Sequence, residues 1–88
     1  MYKIKYYIED DIVREETCGD LDEACDTALA FDCPEFDASS SEDDSCFVGV
    51  YNNRDVCLFW ANTEGDSGSD YTGRSPTINA VIDKYLRR

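Results

Sequence analysis

Alternation of apolar side chains at the start of the chain is the feature that most restricts its fold. Residues 1–8 have the sequence MYKIKYYI, so that every second side chain from Tyr2 to Ile8 is apolar or aromatic. A period of two residues puts these side chains on the same face of a β-strand. The segment therefore predicts a strand with one apolar face.

Acidic residues after this strand predict a tight connection to a second strand. Residues 9–11 form the turn, and residues 12–17 form the antiparallel partner strand. In the expected register, Ile8 lies opposite Val13 and Lys5 lies opposite Glu16. Apolar and oppositely charged side chains then meet across the hairpin, and Lys5 takes part in an ion pair on a sheet face.

Two further segments have the period of an amphipathic helix. Asp20 and Glu23 have the spacing of an N-terminal capping box, and Ser75 with Pro76 is typical of a helix start. Apolar residues follow each cap at helical spacing. In the first helix they are Leu21, Ala24, Cys25, Ala28 and Leu29, and in the second they are Ile78, Val81, Ile82, Tyr85 and Leu86.

A second hairpin is predicted between the helices, and both of its faces are apolar. Its strands are residues 46–51 and 56–61, joined by a turn at residues 52–55. Alternation puts Cys46, Val48, Val50, Cys57 and Phe59 on one face, and Phe47, Gly49, Tyr51, Val56, Leu58 and Trp60 on the other. If helices cover one face, the second is left for a loop, a second copy or a target. The candidate residues of this apolar interface are Phe47, Tyr51, Leu58 and Trp60.

The predicted element order is ββαββα, in a single acidic domain that spans residues 1–88. We expect an α+β fold, in which an antiparallel sheet of about four strands carries both helices on one face. The connections at 32–45 and 62–75 are polar loops. A chain of 88 residues buries only a modest core and has no room for a deep substrate cleft.

Acidic residues are unevenly distributed along the chain. It has 20 Asp and Glu residues against 8 Lys and Arg residues, a net charge of -12. Such a field repels DNA, RNA and anionic membranes and attracts basic surfaces. Between Glu9 and Asp44, Arg14 is the single base among fifteen acids. These residues predict one connected acidic surface for partner binding, with the members Glu9, Asp10, Asp11, Glu15, Glu16, Asp22, Glu23, Asp26, Glu42, Asp43 and Asp44.

Motifs for catalysis and metal binding do not support an enzyme. The chain contains no His, so the GDSG sequence at 65–68 lacks the base that a nucleophilic serine needs. The five cysteines are irregularly spaced and lack a Cys-x2-Cys pair, which favours reduced thiols over disulfides or zinc ligands. We therefore assign no catalytic residue, no metal ligand and no cofactor. Acidic loops at 42–44 and 66–70 leave a cation-binding or enzymatic module as a third alternative.

Small size, extreme acidity and the lack of catalytic groups make the chain similar to phage-encoded anti-CRISPR and anti-restriction DNA mimics. The resemblance is one of class, carried by charge and size. It implies a non-catalytic inhibitor that occupies the basic site of a nucleic-acid-binding complex or nuclease, in a cytoplasm that is the host's if the protein is phage-encoded. The chain resembles acidic immunity proteins, which neutralise nuclease toxins, equally well. The alternative is an accessory domain that forms a homodimer through the second hairpin.

The inhibitor hypothesis predicts a complex that depends on charge. Reversal of Glu15, Glu16, Asp22 and Asp26 to Lys is expected to abolish target binding and to leave the fold intact. Target binding should also weaken steeply as salt is raised, whereas an apolar homodimer would hold or tighten. Titrations at low and high salt separate the two hypotheses. Retained affinity in the variant would contradict the DNA-mimic hypothesis.

Overall fold

The structure, a computed structural model, describes residues 1–30, 34 and 46–86 of the chain. In these residues the strands pair antiparallel in one sheet, in the spatial order β2-β1-β3-β4-β5. The predicted α+β class and the order of hairpins and helices are confirmed, but the sheet has five strands where the sequence predicts about four. The bounds of the elements are β1 Tyr2–Ile8, β2 Asp11–Cys18, α1 Leu21–Leu29, β3 Cys46–Tyr51, β4 Cys57–Asn62, β5 Ser67–Gly68 and α2 Pro76–Leu86.

The additional strand is β5, which lies inside the Gly- and Ser-rich segment predicted as a loop. Gly68 pairs with Trp60 and Ser67 with Ala61 at the edge of the sheet. Two residues are too few to show alternation, so the sequence carries no signal for this strand. This part of the segment extends the sheet.

Both helices pack against the same face of the sheet, as predicted. The ring of Tyr85 from α2 lies beside the ring of Phe59 from β4, with centroids 6.0 Å apart. The opposite face of the sheet, which neither helix covers, is called the open face. The buried core residues are Ile4, Tyr6, Leu21, Ala24, Cys25, Ala28, Val48, Val50, Leu58, Phe59, Ala61, Ile82 and Tyr85.

The starts of both helices are capped as the sequence predicts. The carboxylate of Asp20 accepts a hydrogen bond from the backbone N–H of Glu23 at 3.1 Å. At α2, the hydroxyl of Ser75 accepts one from the backbone N–H of Ile78 at 3.3 Å. Each cap satisfies one of the amide donors that the first turn of a helix leaves without a partner.

The predicted register of the first hairpin is wrong. Lys5 lies opposite Glu15, and Ile8 lies opposite Asp11. The turn consists of Glu9 and Asp10 alone, and a bulge in β2 inserts one extra residue between the partners of Tyr6 and Tyr7. A register argument from alternation assumes an uninterrupted strand, and a bulge breaks that assumption. Lys5 forms its ion pair with Asp55, at 3.8 Å between Nζ and Oδ1, and not with Glu16.

A second bulge corrects the predicted faces of β4. Val50 pairs with Phe59 but Tyr51 pairs with Cys57, so Leu58 is the extra residue. The Leu58 side chain is 0% exposed and belongs to the core, and the prediction that it lies in a surface interface is wrong. Alternation predicts Cys57 on the same face as Phe59, but Cys57 lies on the open face, where it lines a groove with Phe47 and Trp60. The inserted residue reverses the face of the side chain that precedes it in the strand.

Two asparagines organise the connections of β4 in the same way. The Asn52 side chain accepts hydrogen bonds from the backbone N–H groups of Arg54 and Val56, at 2.9 and 3.0 Å. The Asn62 side chain accepts from Glu64 and Asp66, at 3.0 and 2.9 Å. In each five-residue loop the fourth residue has a positive φ, 60° at Asp55 and 95° at Gly65. The side chain thus closes a turn that the backbone alone leaves partly unsatisfied.

The backbone conformation of Asp55 gives a test of the first of these loops. Replacement of Asp55 by Gly should leave the protein more stable than replacement by Ala, by about 0.5–1 kcal/mol, because a Cβ is strained at positive φ. Both changes remove the ion pair with Lys5, so the comparison isolates the backbone. Urea denaturation of the two variants measures the difference. Equal free energies of unfolding would contradict the left-handed conformation at Asp55.

Candidate functional site

Exposed carboxylates gather at one end of the sheet. Ile8 pairs with Cys46, and Phe47 pairs with Asn62, so the β1–β2 turn and the β4–β5 turn lie at the same end. These turns and the first residue of β2 carry an exposed group that we call the acidic end: Glu9, Asp10, Asp11, Glu64 and Asp66. None of the five forms an ion pair with another residue that the structure describes.

Two members of the acidic end were missed from the sequence. Glu64 and Asp66 lie outside the acidic segment 9–44, in the connection 62–75 that the sequence predicts as a polar loop. Strand pairing brings them to the end where Glu9, Asp10 and Asp11 lie. No sequence signal marks this proximity, because it depends on the order of the strands in the sheet.

Glu15 and Glu16, predicted to share one surface, lie on opposite faces of the sheet. Glu15 lies opposite Lys5 on the open face and forms a long ion pair with Lys3, at 3.9 Å. Glu16 lies on the helix side, where its carboxylate accepts hydrogen bonds from Arg14 at 3.0 Å and from the hydroxyl of Tyr6 at 3.2 Å. Adjacent residues of a strand point to opposite faces, so the two cannot contribute to one flat surface.

Asp22 holds the two helices together. Its carboxylate accepts two hydrogen bonds from Lys84, both at 3.1 Å, and one from the hydroxyl of Tyr85. Tyr85 also donates to the backbone carbonyl of Asp22 at 2.9 Å. The hydrogen bond from Tyr85, and then that from Lys84, lower the pKa of the Asp22 carboxyl below its ordinary value of 3.8. A surface carboxylate that is neutralised by a neighbouring Lys attracts a basic partner only weakly.

The predicted acidic surface is therefore divided. Of its eight members in the described residues, Glu15, Glu16 and Asp22 have basic partners within the chain. Glu23 and Asp26 are exposed on α1 and are not part of the acidic end. Glu42, Asp43 and Asp44 lie outside the described residues. Reversal of Glu16 and Asp22 would also remove hydrogen bonds within the chain, so the fourfold variant is expected to lose stability as well as target binding.

The open face carries a shallow aromatic groove of about 670 Å³. Three partly exposed aromatic residues form its floor and walls: Phe47, Tyr51 and Trp60. Tyr7 stacks on Phe47, with ring centroids 4.3 Å apart and planes within 1°, and its hydroxyl lies 3.1 Å from that of Tyr51. The remaining lining residues are Asp55, Val56, Cys57, Asn62 and Asp70. Phe47, Tyr51 and Trp60, predicted to share this face, do so.

Two glycines let aromatic rings lie close against the sheet. A Cβ at Gly49 would meet the ring of Tyr51 at 2.7 Å, and a Cβ at Gly68 would meet the ring of Trp60 at 2.9 Å. Only a residue without a side chain permits such an approach. The rings of Tyr51 and Trp60 therefore lie flat against the backbone of the open face.

Charged groups surround the aromatic groove. The ammonium group of Lys5 lies 4.7 Å from the ring centroid of Tyr51 and 3.8 Å from the carboxylate of Asp55. Asp70 has no ion pair with a described residue. Burial, and next the charge of Asp70, raise the pKa of the Cys57 thiol to about 11. The groove therefore combines aromatic rings with a carboxylate that has no basic partner in the described residues.

The described residues offer little support for a metal site. No three Cys, Asp or Glu side chains among them lie close enough together to hold a metal ion. The segment 66–70, considered as a cation loop, contains the strand residues Ser67 and Gly68. Cys18, Cys25, Cys46 and Cys57 form no disulfide, and burial raises the pKa of Cys25 to about 12. Neither helix of the described chain is long and apolar enough to cross a membrane.

Comparison with protein-family models, with curated proteins and with solved structures finds no match to this chain. Function is therefore inferred from the positions and charges of its own residues.

The contacts of Asp22 predict a pH-dependent contribution to stability. Because its pKa is lowered in the folded state, the stabilisation is present at neutral pH and is lost as the pH falls through the folded pKa. Asp22→Asn should therefore be less stable than the wild type at pH 7 and equally stable in acid. Urea denaturation at both pH values measures this. Glu23→Gln, next to it in the first turn of α1, is the matched control; a pH-independent loss in Asp22→Asn would contradict the assignment.

Proposed function

We propose that this protein is a non-catalytic inhibitor that binds the positively charged surface of a nucleic-acid-binding complex or nuclease. The acidic end carries the proposal, because its five carboxylates are exposed and have no basic partner among the described residues. The net charge of -12 would steer such a surface toward a basic partner at long range.

The spacing of the acidic end suits a surface that normally holds a nucleic acid. Three strand spacings separate the β1–β2 turn from the β4–β5 turn, roughly 14 Å at about 4.8 Å each. DNA presents a negative charge about every 1.7 Å of its axis, and basic sites carry rows of Lys and Arg against it. Carboxylates in two clusters at this distance would contact separate parts of such a row and displace the same counterions as DNA.

The class of target follows from this chemistry. The resemblance to anti-CRISPR and anti-restriction DNA mimics points to CRISPR effector complexes and restriction enzymes, and the resemblance to immunity proteins points to nuclease toxins. Both kinds of target have a basic site that binds nucleic acid. Inhibition of either kind would take place in a cytoplasm. Direct binding to DNA or RNA is disfavoured by the same charge.

Charge reversal at the acidic end tests the proposal. Tagged wild-type protein should retain a basic partner from a host extract at low salt and release it as salt is raised. The double variant Asp10→Lys, Asp11→Lys should bind the purified partner about tenfold more weakly or worse, because two attractions become repulsions. The partner's binding to DNA, followed by mobility shift, should be blocked by the wild type and not by the variant.

A control variant distinguishes the effect of where the charges lie from the effect of the total charge. Glu23→Lys, Asp26→Lys changes the net charge by the same amount on the outside of α1, and it should retain most of the affinity. Equal losses in both double variants would contradict the acidic end as the contact surface. Unchanged affinity in both, or a complex that does not respond to salt, would overturn the proposed function.

A further inference from the structure

The aromatic groove of the open face has features that the proposed function does not use. Its rings belong to Phe47, Tyr51 and Trp60, and the groove encloses about 670 Å³. Tyr51 lies close over Gly49 and Trp60 lies close over Gly68. The faces of these rings are available for a planar or cationic group to stack on.

The chain itself demonstrates which chemistry this face favours. The ammonium group of Lys5 lies over the ring of Tyr51, 4.7 Å from its centroid, and 3.8 Å from the carboxylate of Asp55. An aromatic face and a carboxylate together stabilise a cation, the first through its quadrupole and the second through its charge. The open face thus already holds one cationic group of its own.

A second cation can bind beside Trp60. Asp70 lines the same groove as Trp60 and Phe47, and it has no ion pair with another described residue. Its charge reaches the groove, because it contributes to the raised pKa of Cys57. Indole is the best of the aromatic faces for a cation, and a nearby unpaired carboxylate supplies the hydrogen-bond acceptors.

Other occupants fit this groove less well. A nucleic acid base would stack on the rings, but its phosphates would meet Asp55, Asp70 and a net charge of -12. A second copy would bring the same net charge of -12, and the two copies would repel each other as they approached. A guanidinium group is planar, stacks on an aromatic ring and donates two parallel hydrogen bonds to a carboxylate.

We infer that the groove between Trp60 and Asp70 binds an arginine side chain of the partner protein. The inference rests on the proposed function for the basic character of that partner, and it adds a second contact on a different surface. The guanidinium group stacks on Trp60, and its N–H groups donate to Asp70. The acidic end would then supply attraction at a distance, and the groove would supply the specific contact.

A short peptide tests this contact without the partner. Trp60 is the single tryptophan of the chain, so its fluorescence reports occupancy of the groove directly. Acetyl-Gly-Arg-Gly-amide should change that fluorescence in a saturable way at low salt. Peptides with citrulline or lysine in place of arginine should bind more weakly, since the first has no charge and the second has no planar donor pair.

Variants assign the contact to its residues. Asp70→Asn should weaken binding of the arginine peptide by about fivefold, the effect of one exposed charged pair. Glu23→Gln removes one charge on the helix side and should leave the affinity unchanged. Asp10→Lys, Asp11→Lys should also bind the peptide like the wild type, so that failure of the acidic end and failure of the groove give different results.

Four outcomes would overturn the inference. The first is equal affinity for the arginine and citrulline peptides, and the second is equal affinity for arginine and lysine. The third is a dimer in sedimentation that Trp60→Ala dissociates, because a second copy would then occupy the groove. Unchanged peptide affinity in Asp70→Asn would also contradict it.

Discussion

Burial of one sheet face under both helices is the constraint on which the rest of this structure depends. Ile4, Val50 and Phe59 lie in register across β1, β3 and β4, and α1 and α2 close over them. A chain of this length can build one such layer. The other face of the sheet is therefore left with partly exposed aromatic residues, and the acidic side chains are distributed over the ends and the outside of the helices.

Two bulges determine which side chains belong to which face. The bulge at Leu58 adds a large apolar side chain to the core and moves Cys57 onto the open face. The bulge in β2 sets Lys5 opposite Glu15 and leaves its ammonium group to reach Asp55 and Tyr51. A bulge costs ladder hydrogen bonds but allows a strand to re-aim its side chains. The position of Cys57 in the aromatic groove is a product of this change in direction.

Contacts within the chain distinguish acidic residues that stabilise the fold from acidic residues that can bind a partner. Asp22 binds Lys84 and Tyr85, and thereby fixes α2 against the start of α1. Asp20 caps α1 through its side chain. The residues of the acidic end have no such contacts with described residues, and their charges act only on solvent and on whatever approaches. The total number of acidic residues therefore does not identify a binding surface. Only the carboxylates without a partner in the fold should be counted.

The sequence alone determined the helices and the hairpin strands, because alternation, helical period and helix caps are local patterns. They predict β1, both helices and both hairpins, and they predict which face of each helix is apolar. The sequence did not predict the burial of Leu58, the position of Glu64 or the register of Lys5. A bulge leaves no periodic signal, and the position of Glu64 at the same end of the sheet as Glu9 requires the strand order β2-β1-β3-β4-β5. Local patterns fix which segments form strands and helices, whereas the ends and faces that strands share are set by pairing between residues distant in the chain. Only the tertiary structure therefore decided which of the acidic and aromatic residues share a surface.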